Sequence, residues 1–274
     1  ISPMADKFCL LELKRIFRLP FFIGIVSSAA CFYLDELEFI KMAINNPMVF
    51  EEGSVACVLH YITASYTAGG VFCSYLLPIF VSLSYSVSYC TEENNHMVGY
   101  IIFRSGKRKY GYAKTLTATI SGGLTALVGS LLFVIVLSTR LPLTTPQYIV
   151  ESQILPFSSL LSHGGGLLYL LVVIYLIALS GALWSEAGMW ISAYLPNPYV
   201  VLSFPMLLKF LMVQIGRLLR LPDALRLDYL LSANARFFSD GITLVVVTFA
   251  VVGIVVLMGR DFQSKIEGRI ENAS

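Results

Sequence analysis

The stretch "TLTATISGGLTALVGSLLFVIVLST" (residues 115–139) decides the fold class of this 274-residue chain. It contains no Asp, Glu, Lys or Arg, and the nearest charges are Lys114 before it and Arg140 after it. An α-helix needs about 20 predominantly apolar residues to cross a bilayer, so this stretch is long enough. It lacks the two-residue alternation of a transmembrane β-strand, and its small residues favour close approach of a second helix. The sequence therefore predicts a transmembrane helix here.

The composition extends this prediction to the whole chain. The chain is 57% hydrophobic and 13% charged, whereas a soluble domain carries about 25% charged residues. Its mean hydropathy is +0.76. We predict an all-α fold, a polytopic membrane protein whose single transmembrane domain covers residues 1–274, with six transmembrane helices and an N-terminal amphipathic interfacial helix. The six predicted spans are residues 19–34, 68–90, 115–139, 165–185, 187–208 and 241–259.

The N-terminal segment, residues 5–18, has the pattern of a helix that lies along a membrane surface. At 100° per residue, Lys7, Lys14 and Arg18 fall on one narrow stripe, with Arg15 at its edge. Such a helix lies in the interface with its cations on lipid phosphates. A simple juxtamembrane topology signal is the alternative interpretation, and the two are compatible.

Lysine and arginine are concentrated in the N-terminal segment, in residues 91–114 and in the C-terminal tail. The positive-inside rule therefore places these segments in the cytoplasm. Residues 209–240 are also rich in arginine, although this topology puts them outside. Either the fourth and fifth spans form one broken span, giving five in all, or 209–240 is an amphipathic, partly re-entrant hairpin. We favour the hairpin, because two runs of about 21 residues can each span.

No catalytic, metal-ligating or cofactor-binding site is predicted in this chain. A Walker A loop requires four residues between its glycines and a hydroxyl after its lysine. Gly99 and Gly106 have six residues between them, and Arg108 follows Lys107. The five cysteines have no metal-site spacing. Cys31 and Cys57 could pair in an oxidising compartment, although free buried thiols are the favoured interpretation.

Residues 92–116, "EENNHMVGYIIFRSGKRKYGYAKTL", resemble the permease subunits of type-2 ABC transporters, especially the short Gram-positive forms. Those permeases have an acidic group at the end of span two, a short cytoplasmic helix, a basic turn, an aromatic residue and a lysine that opens span three. The matching residues here are Glu92, Glu93, Arg104, Gly106, Arg108, Tyr110 and Lys114. The surrounding plan of spans is similar over nearly the whole chain.

The resemblance implies that residues 97–103 form a coupling helix, which docks on a separate ATP-binding subunit. The residues expected to make this contact are Met97, Val98, Ile101, Ile102 and Phe103. The basic residues after the helix are expected to anchor it to inner-leaflet phosphates and to the partner. These are Arg104, Lys107, Arg108 and Lys114.

The function that the resemblance implies is the membrane subunit of an ABC exporter, without enzymatic activity of its own. Two partner ATPase subunits would bind ATP and Mg²⁺. A second permease, either identical or related, would complete the pathway. No nucleic acid is expected as a partner. Both termini would lie on the cytoplasmic side of a bacterial cytoplasmic membrane. The alternatives are an intramembrane hydrolase built on Glu92, Glu93 and His96, for which a hydrated helix end is the simpler interpretation, and a non-transporting scaffold or immunity subunit.

Overall fold

The computed structural model describes residues 3–45, 55–67, 70–152, 156–161, 166–222, 225–232 and 239–271, and the regular elements in these ranges are all helical. The helices are α1 (Pro3–Lys14), α2 (Leu19–Asp35), α3 (Leu37–Asn45), α4 (Val58–Thr67), α5 (Val71–Tyr75), α6 (Leu77–Leu83), α7 (Ser88–Asn94), α8 (Val98–Ser105), α9 (Lys107–Ser138), α10 (Pro146–Glu151), α11 (Leu167–Ser192), α12 (Pro198–Leu218), α13 (Leu227–Leu231) and α14 (Asp240–Glu271). The predicted all-α class is therefore confirmed for these residues.

Four helices in the described ranges, α9, α11, α12 and α14, are long and apolar enough to cross a membrane. A fifth candidate is the pair α1 and α2, which together pass the same test but are bent by 51° at residues 15–18. The chain thus has the character of a multi-pass membrane protein. Six spans, and an interfacial position for α1, remain predictions.

The predicted boundary between the fourth and fifth spans is wrong. One predicted span ends at residue 185 and the next begins at 187, whereas α11 runs unbroken through Glu186 to Ser192. The chain turns at residues 193–197 instead, where Pro198 opens α12 and the Asn197 side chain accepts a hydrogen bond from the Tyr199 amide at 2.9 Å. Proline at the first helical position and asparagine at the cap are favourable there, whereas one buried carboxyl does not stop a helix.

The predicted arginine-rich hairpin over residues 209–240 is also wrong in its first part. Residues 209–218 continue α12, which is a single helix as far as Leu218. Because α11 and α12 are each long enough to span, the alternative of a single broken span is not needed. Residues 223–224 and 233–238 of this segment lie outside the described ranges.

The predicted second span, residues 68–90, is not one helix. Helix begins earlier, at Val58, and the path then passes through α4, α5, α6 and α7, while residues 68 and 69 lie outside the described ranges. Pro78 lies in the first turn of α6 and lacks the N–H that would continue the preceding turn. Farther along, Ser82 and Ser86 donate hydrogen bonds to the Trp184 and Ser185 carbonyls of α11. These bonds attach the broken path to α11, since serine side chains in membrane helices can hydrogen-bond across to a neighbouring helix.

The core of the bundle is the contact between α9 and α11, where the two backbones approach closely. A Cβ atom built on Gly122 would lie 2.5 Å from the Gly181 carbonyl oxygen and 2.2 Å from the Ser185 Cβ. A Cβ on Gly129 would lie 2.7 Å from the Ser28 Cβ of α2. Glycine is therefore required at these positions by space, which confirms the predicted role of the small residues in close helix approach.

The elements that carry most of the lysines and arginines meet at one end of the bundle, here called the basic end. The end of α11 is bonded to α14 there, since Trp190 Nε1 and Tyr194 OH donate to the Asp261 carboxylate at 2.7 and 2.5 Å. Arg269 of α14 donates to the Tyr194 carbonyl at 3.0 Å and lies 3.8 Å from the Glu93 carboxylate of α7. The N-terminal segment, residues 91–114 and the last helix thus share one end, as their charge predicts.

The opposite end of the bundle includes the end of α2 and the starts of α5 and α14. The Asp35 carboxylate accepts hydrogen bonds from the Phe72 and Cys73 amides at the start of α5, at 2.9 and 2.8 Å. Ser159 donates to the Asp240 carboxylate at 2.9 Å, so the start of α14 lies at this end as well. The five cysteines are all free thiols, so Cys31 and Cys57 are not paired.

Candidate functional site: an exposed helix fixed to a buried ionic cluster

The predicted coupling segment forms helix α8 at the basic end. His96, with φ of 55°, separates it from α7, and Gly106, with φ of 86°, separates it from α9. A positive φ is readily adopted by glycine and strained for most other residues, so Gly106 permits the sharp change of direction between the two helices. The helix runs over Val98–Ser105, so it begins one residue later and ends two residues later than the predicted helix, residues 97–103.

Two faces of α8 have different environments. Val98 and Ile102 are buried against the protein's own bundle. Met97, Tyr100 and Phe103, spaced three residues apart on the outer face, are 54%, 79% and 92% exposed. Val98 and Ile102 were predicted to contact a partner, but they pack inward because they are one helical turn apart on the inner face. Tyr100, which was not predicted to make this contact, belongs to the outer surface. Ile101 is half-buried between the two.

A buried ionic cluster, made of Glu12, Arg15, Glu92 and Lys114, fixes the elements around α8 to one another. Lys114 Nζ lies 2.7 Å from the Glu92 carboxylate and 3.3 Å from that of Glu12. Arg15 Nη1 lies 2.7 Å from Glu12 and 2.6 Å from Glu92. The Lys114 side chain has no exposed area, and the two carboxylate side chains are 3% and 8% exposed. The cluster thereby joins α1, α7 and α9.

Two tyrosines complete the cluster. Tyr110 OH donates to Glu92 Oε2 at 2.7 Å, and Tyr85 OH donates to the Glu12 carboxylate. The Lys114 ammonium lies 5.2 Å from the centre of the Tyr85 ring and 5.6 Å from that of Tyr110, within cation–π range. The buried charges are therefore both paired and hydrogen-bonded, which is the condition under which buried charges are tolerated.

The electrostatics of Glu92 follow from these contacts. Burial raises the pKa of its carboxyl, but the Lys114 ammonium and the hydrogen bonds from Lys114, Tyr110 and Arg15 outweigh burial, so the net shift of this pKa is downward. Removing one member of a buried ion pair leaves an uncompensated charge, which costs about 3–5 kcal/mol. The cluster is thus a rigid connection rather than an adjustable surface contact.

The predicted anchoring role of Lys114 is wrong, because its ammonium is enclosed by Glu12 and Glu92 and does not reach lipid or a partner. Arg104 and Arg108 are exposed, as anchoring requires, and Lys107 is half-buried. Sequence reasoning could not pair Lys114 with Glu12, since 102 residues separate them. The available signal was the acidic residue Glu12 within a cationic helix, three residues before Arg15.

The residues of the alternative hydrolase interpretation have separate environments. Glu92 is held in the ionic cluster, Glu93 faces Arg269 of α14, and His96 is exposed at the turn before α8. Within the described ranges, no group of three His, Cys, Asp or Glu side chains is placed to hold a metal ion. This arrangement does not assemble a hydrolytic centre from these three residues.

Glu186, which lies between two of the predicted spans, is a buried carboxyl. It lies inside α11 with no exposed area, and its Oε2 accepts a hydrogen bond from Thr119 of α9 at 3.1 Å. Its Oε1 has no hydrogen-bond partner among the described residues. The available signal was its isolation, since it is the only acidic residue between Glu151 and Asp223. Ionisable groups at such positions in membrane helices are usually functional.

The geometry suits the transmission of a displacement. α8 is short and covalently joined to α7 and α9, and both neighbours contribute members to the ionic cluster. The outer face of α8 is therefore connected to α9 along the chain, and α9 is connected to α1 through the contact of Lys114 with Glu12. No family model, no curated protein and no solved structure matches this chain.

Proposed function

We propose that this chain is the membrane subunit of an ATP-driven ABC exporter. It couples ATP hydrolysis on two separate subunits to movement of a substrate across a bacterial cytoplasmic membrane, together with a second permease that is identical or related. ATP and Mg²⁺ are bound by the partner subunits. The six spans lie in α2, in the broken path that ends at residue 90, and in α9, α11, α12 and α14, and the basic end lies in the cytoplasm.

The observation that carries this proposal is the outer face of α8. Met97, Tyr100 and Phe103 are exposed on a short helix that lies outside the long helices, flanked by the exposed cations Arg104 and Arg108. Burying one such apolar side chain contributes about 1.5–3 kcal/mol. A protein groove accounts for both the apolar residues and their position beside cations, because α8 lies outside the long apolar helices at the charged end of the bundle.

The ionic cluster supports the mechanical part of the proposal. Docking of a partner on α8 displaces α7 and α9, which the cluster connects to α1 through Glu12 and Arg15. Rigid-body movement of packed helices is a common way of switching between two conformations. In this account the partner moves the start of α9, and the tight contact of α9 with α11 at Gly122 carries the motion into the spanning region.

Co-purification tests the proposal. The full chain carries an affinity tag, is extracted in mild detergent, and the bound proteins are identified together with their ATPase activity. We expect an ATP-binding subunit with the wild-type chain and its loss with the double variant Tyr100→Ser, Phe103→Ser. Tyr199→Ser is the matched control, since Tyr199 is 83% exposed at the same end but lies outside α8.

Absence of any ATP-binding subunit from the wild-type preparation would contradict the proposal and favour the scaffold interpretation. If the double variant retains that subunit at the wild-type amount, α8 is not the docking element.

A further inference from the structure

A cavity of about 220 Å³ lies beside the ionic cluster, between the α1–α2 junction and the α6–α7 turn. Arg15 and Arg18 line it on one side. The α6–α7 region supplies the apolar side chains Leu83 and Val87 and the hydroxyl of Ser88. The cavity is partly enclosed and open to the surface, and neither the coupling helix nor the proposed docking face contributes to it.

The charge around this cavity does not balance. Glu12 and Glu92 offset Arg15 and Lys114, which leaves the positive charge of Arg18 in excess. Arg18 is exposed and makes no ion pair with any residue in the described ranges. Arg15 uses Nη1 for both of its carboxylate contacts, so its Nε and Nη2 donors remain available. The Glu92 carboxylate also lines the cavity, but its oxygens are occupied by Lys114, Arg15 and Tyr110.

We propose that this cavity binds the phosphate group of an anionic phospholipid. The two guanidinium groups hold the phosphate oxygens, a geometry that suits the planar fork of arginine. The glycerol and the first part of an acyl chain lie along Leu83 and Val87. The bound lipid contacts Arg15, and through it the ionic cluster, so its presence stiffens the junction between α1 and α2.

The position of the cavity favours a lipid over a free phosphate ion. Arg18 immediately precedes α2, and the first two turns of α2 expose the apolar side chains Leu19, Phe22, Ile23 and Val26. The guanidinium groups thus lie where the apolar surface begins, which is the depth of lipid headgroups. A free ion would use the arginines but would leave the apolar wall of the cavity uncovered.

The inference is tested with the full chain purified in a neutral detergent. Thermal stability is measured while dioleoyl-phosphatidylglycerol, dioleoyl-phosphatidylcholine or inorganic phosphate is titrated at equal concentration. We expect the phosphatidylglycerol to raise the melting temperature most. For Arg18→Gln, which leaves the ionic cluster intact, we expect about tenfold weaker apparent affinity, the loss of one charge-assisted hydrogen bond. Lys14→Gln is the matched control, because Lys14 is an exposed cation of the same segment that does not line this cavity.

An equal loss of affinity in Lys14→Gln and Arg18→Gln would overturn the site in favour of diffuse attraction to the helix. An equal effect of inorganic phosphate would overturn the lipid assignment, and no effect of phosphatidylglycerol would overturn the proposal. None of these results depends on an ATP-binding subunit, so they are distinguishable from a failure of the proposed function.

Discussion

Lys114 shows how far a single residue's role depends on contacts that are distant in sequence. A lysine that opens a transmembrane helix is typical of a cation at the headgroup level. Here the side chain has no exposed area and is enclosed by Glu12 and Glu92. In the sequence Lys114 directly precedes the predicted span, but α9 begins two turns earlier, at Lys107. Nothing local indicates that α1 folds back to supply the partner of Lys114.

Replacement of Lys114 tests this role. In Lys114→Met, Glu12 and Glu92 remain buried and Arg15 is the one cation left in the ionic cluster. We therefore expect the free energy of unfolding to fall by about 3–5 kcal/mol. The control Arg108→Met removes an exposed cation from the same helix, and its effect is expected to stay within about 0.5 kcal/mol. Both are measured by reversible unfolding in mixed detergent micelles. Equal, small effects of the two substitutions would show that the cluster does not stabilise the fold.

Glu92 makes the stability of the cluster dependent on pH. Its pKa in the folded protein lies below the ordinary value of 4.5. The ionised carboxylate therefore stabilises the fold above that value, and this stabilisation is lost as the pH falls through the folded-state pKa. We expect the difference in melting temperature between the wild type and Glu92→Gln to be largest near pH 7 and to shrink below pH 4.5. A difference that stays constant or grows on acidification would contradict the ion pairing of Glu92.

At the scale of elements, the long uncharged runs were predictable and the interruptions were not. The apolar core of α9, and the start of α2 at Leu19, follow from composition alone. The break in the path 71–94 depends on Pro78 together with serine contacts to α11, and the second part of that cause is tertiary. The position of Glu186 predicted a loop, because a single charge between two apolar runs is typical of one, whereas here the bundle buries the side chain.

The contact of α9 with α11 can be tested at two adjacent glycines. In Gly122→Ala the new methyl group would meet the Ser185 Cβ and the Gly181 carbonyl, so we expect a loss of about 1–3 kcal/mol in stability. In Gly123→Ala the nearest atoms are 3.4 and 3.5 Å away. We therefore expect no loss there, and a gain of up to about 1 kcal/mol from helix propensity. Reversed effects in the same unfolding assay would contradict the described packing of the two helices.

At the scale of the whole molecule, the distribution of lysine and arginine predicted which segments share an end. The structure brings α1, α7, α8 and the end of α14 together, as that distribution requires. Charge could not predict how these elements interlock, because the partners in each ion pair come from separate helices. The exposed Tyr100 was also missed, since the direction of each side chain of α8 depends on which face packs against the bundle.

The assignment of the basic end to the cytoplasm predicts the accessibility of introduced cysteines. Arg108 and Arg140 are both exposed, one at each end of α9. With a charged, membrane-impermeant thiol reagent, we expect Arg140→Cys to be labelled in intact cells and Arg108→Cys only after permeabilisation. The wild type, whose cysteines are buried or half-buried, gives the background. The reverse pattern would invert the topology.

Cross-linking from Phe103 shows whether α8 docks on an ATP-binding subunit. Its side chain is 92% exposed, so a photoreactive phenylalanine analogue at this position, irradiated in intact membranes, reports what covers it. The same analogue at Tyr199 serves as the control. We expect a covalent adduct between position 103 and a polypeptide that binds ATP, and no such adduct in the control. Adducts with lipid alone, or no adduct at position 103, would contradict this docking.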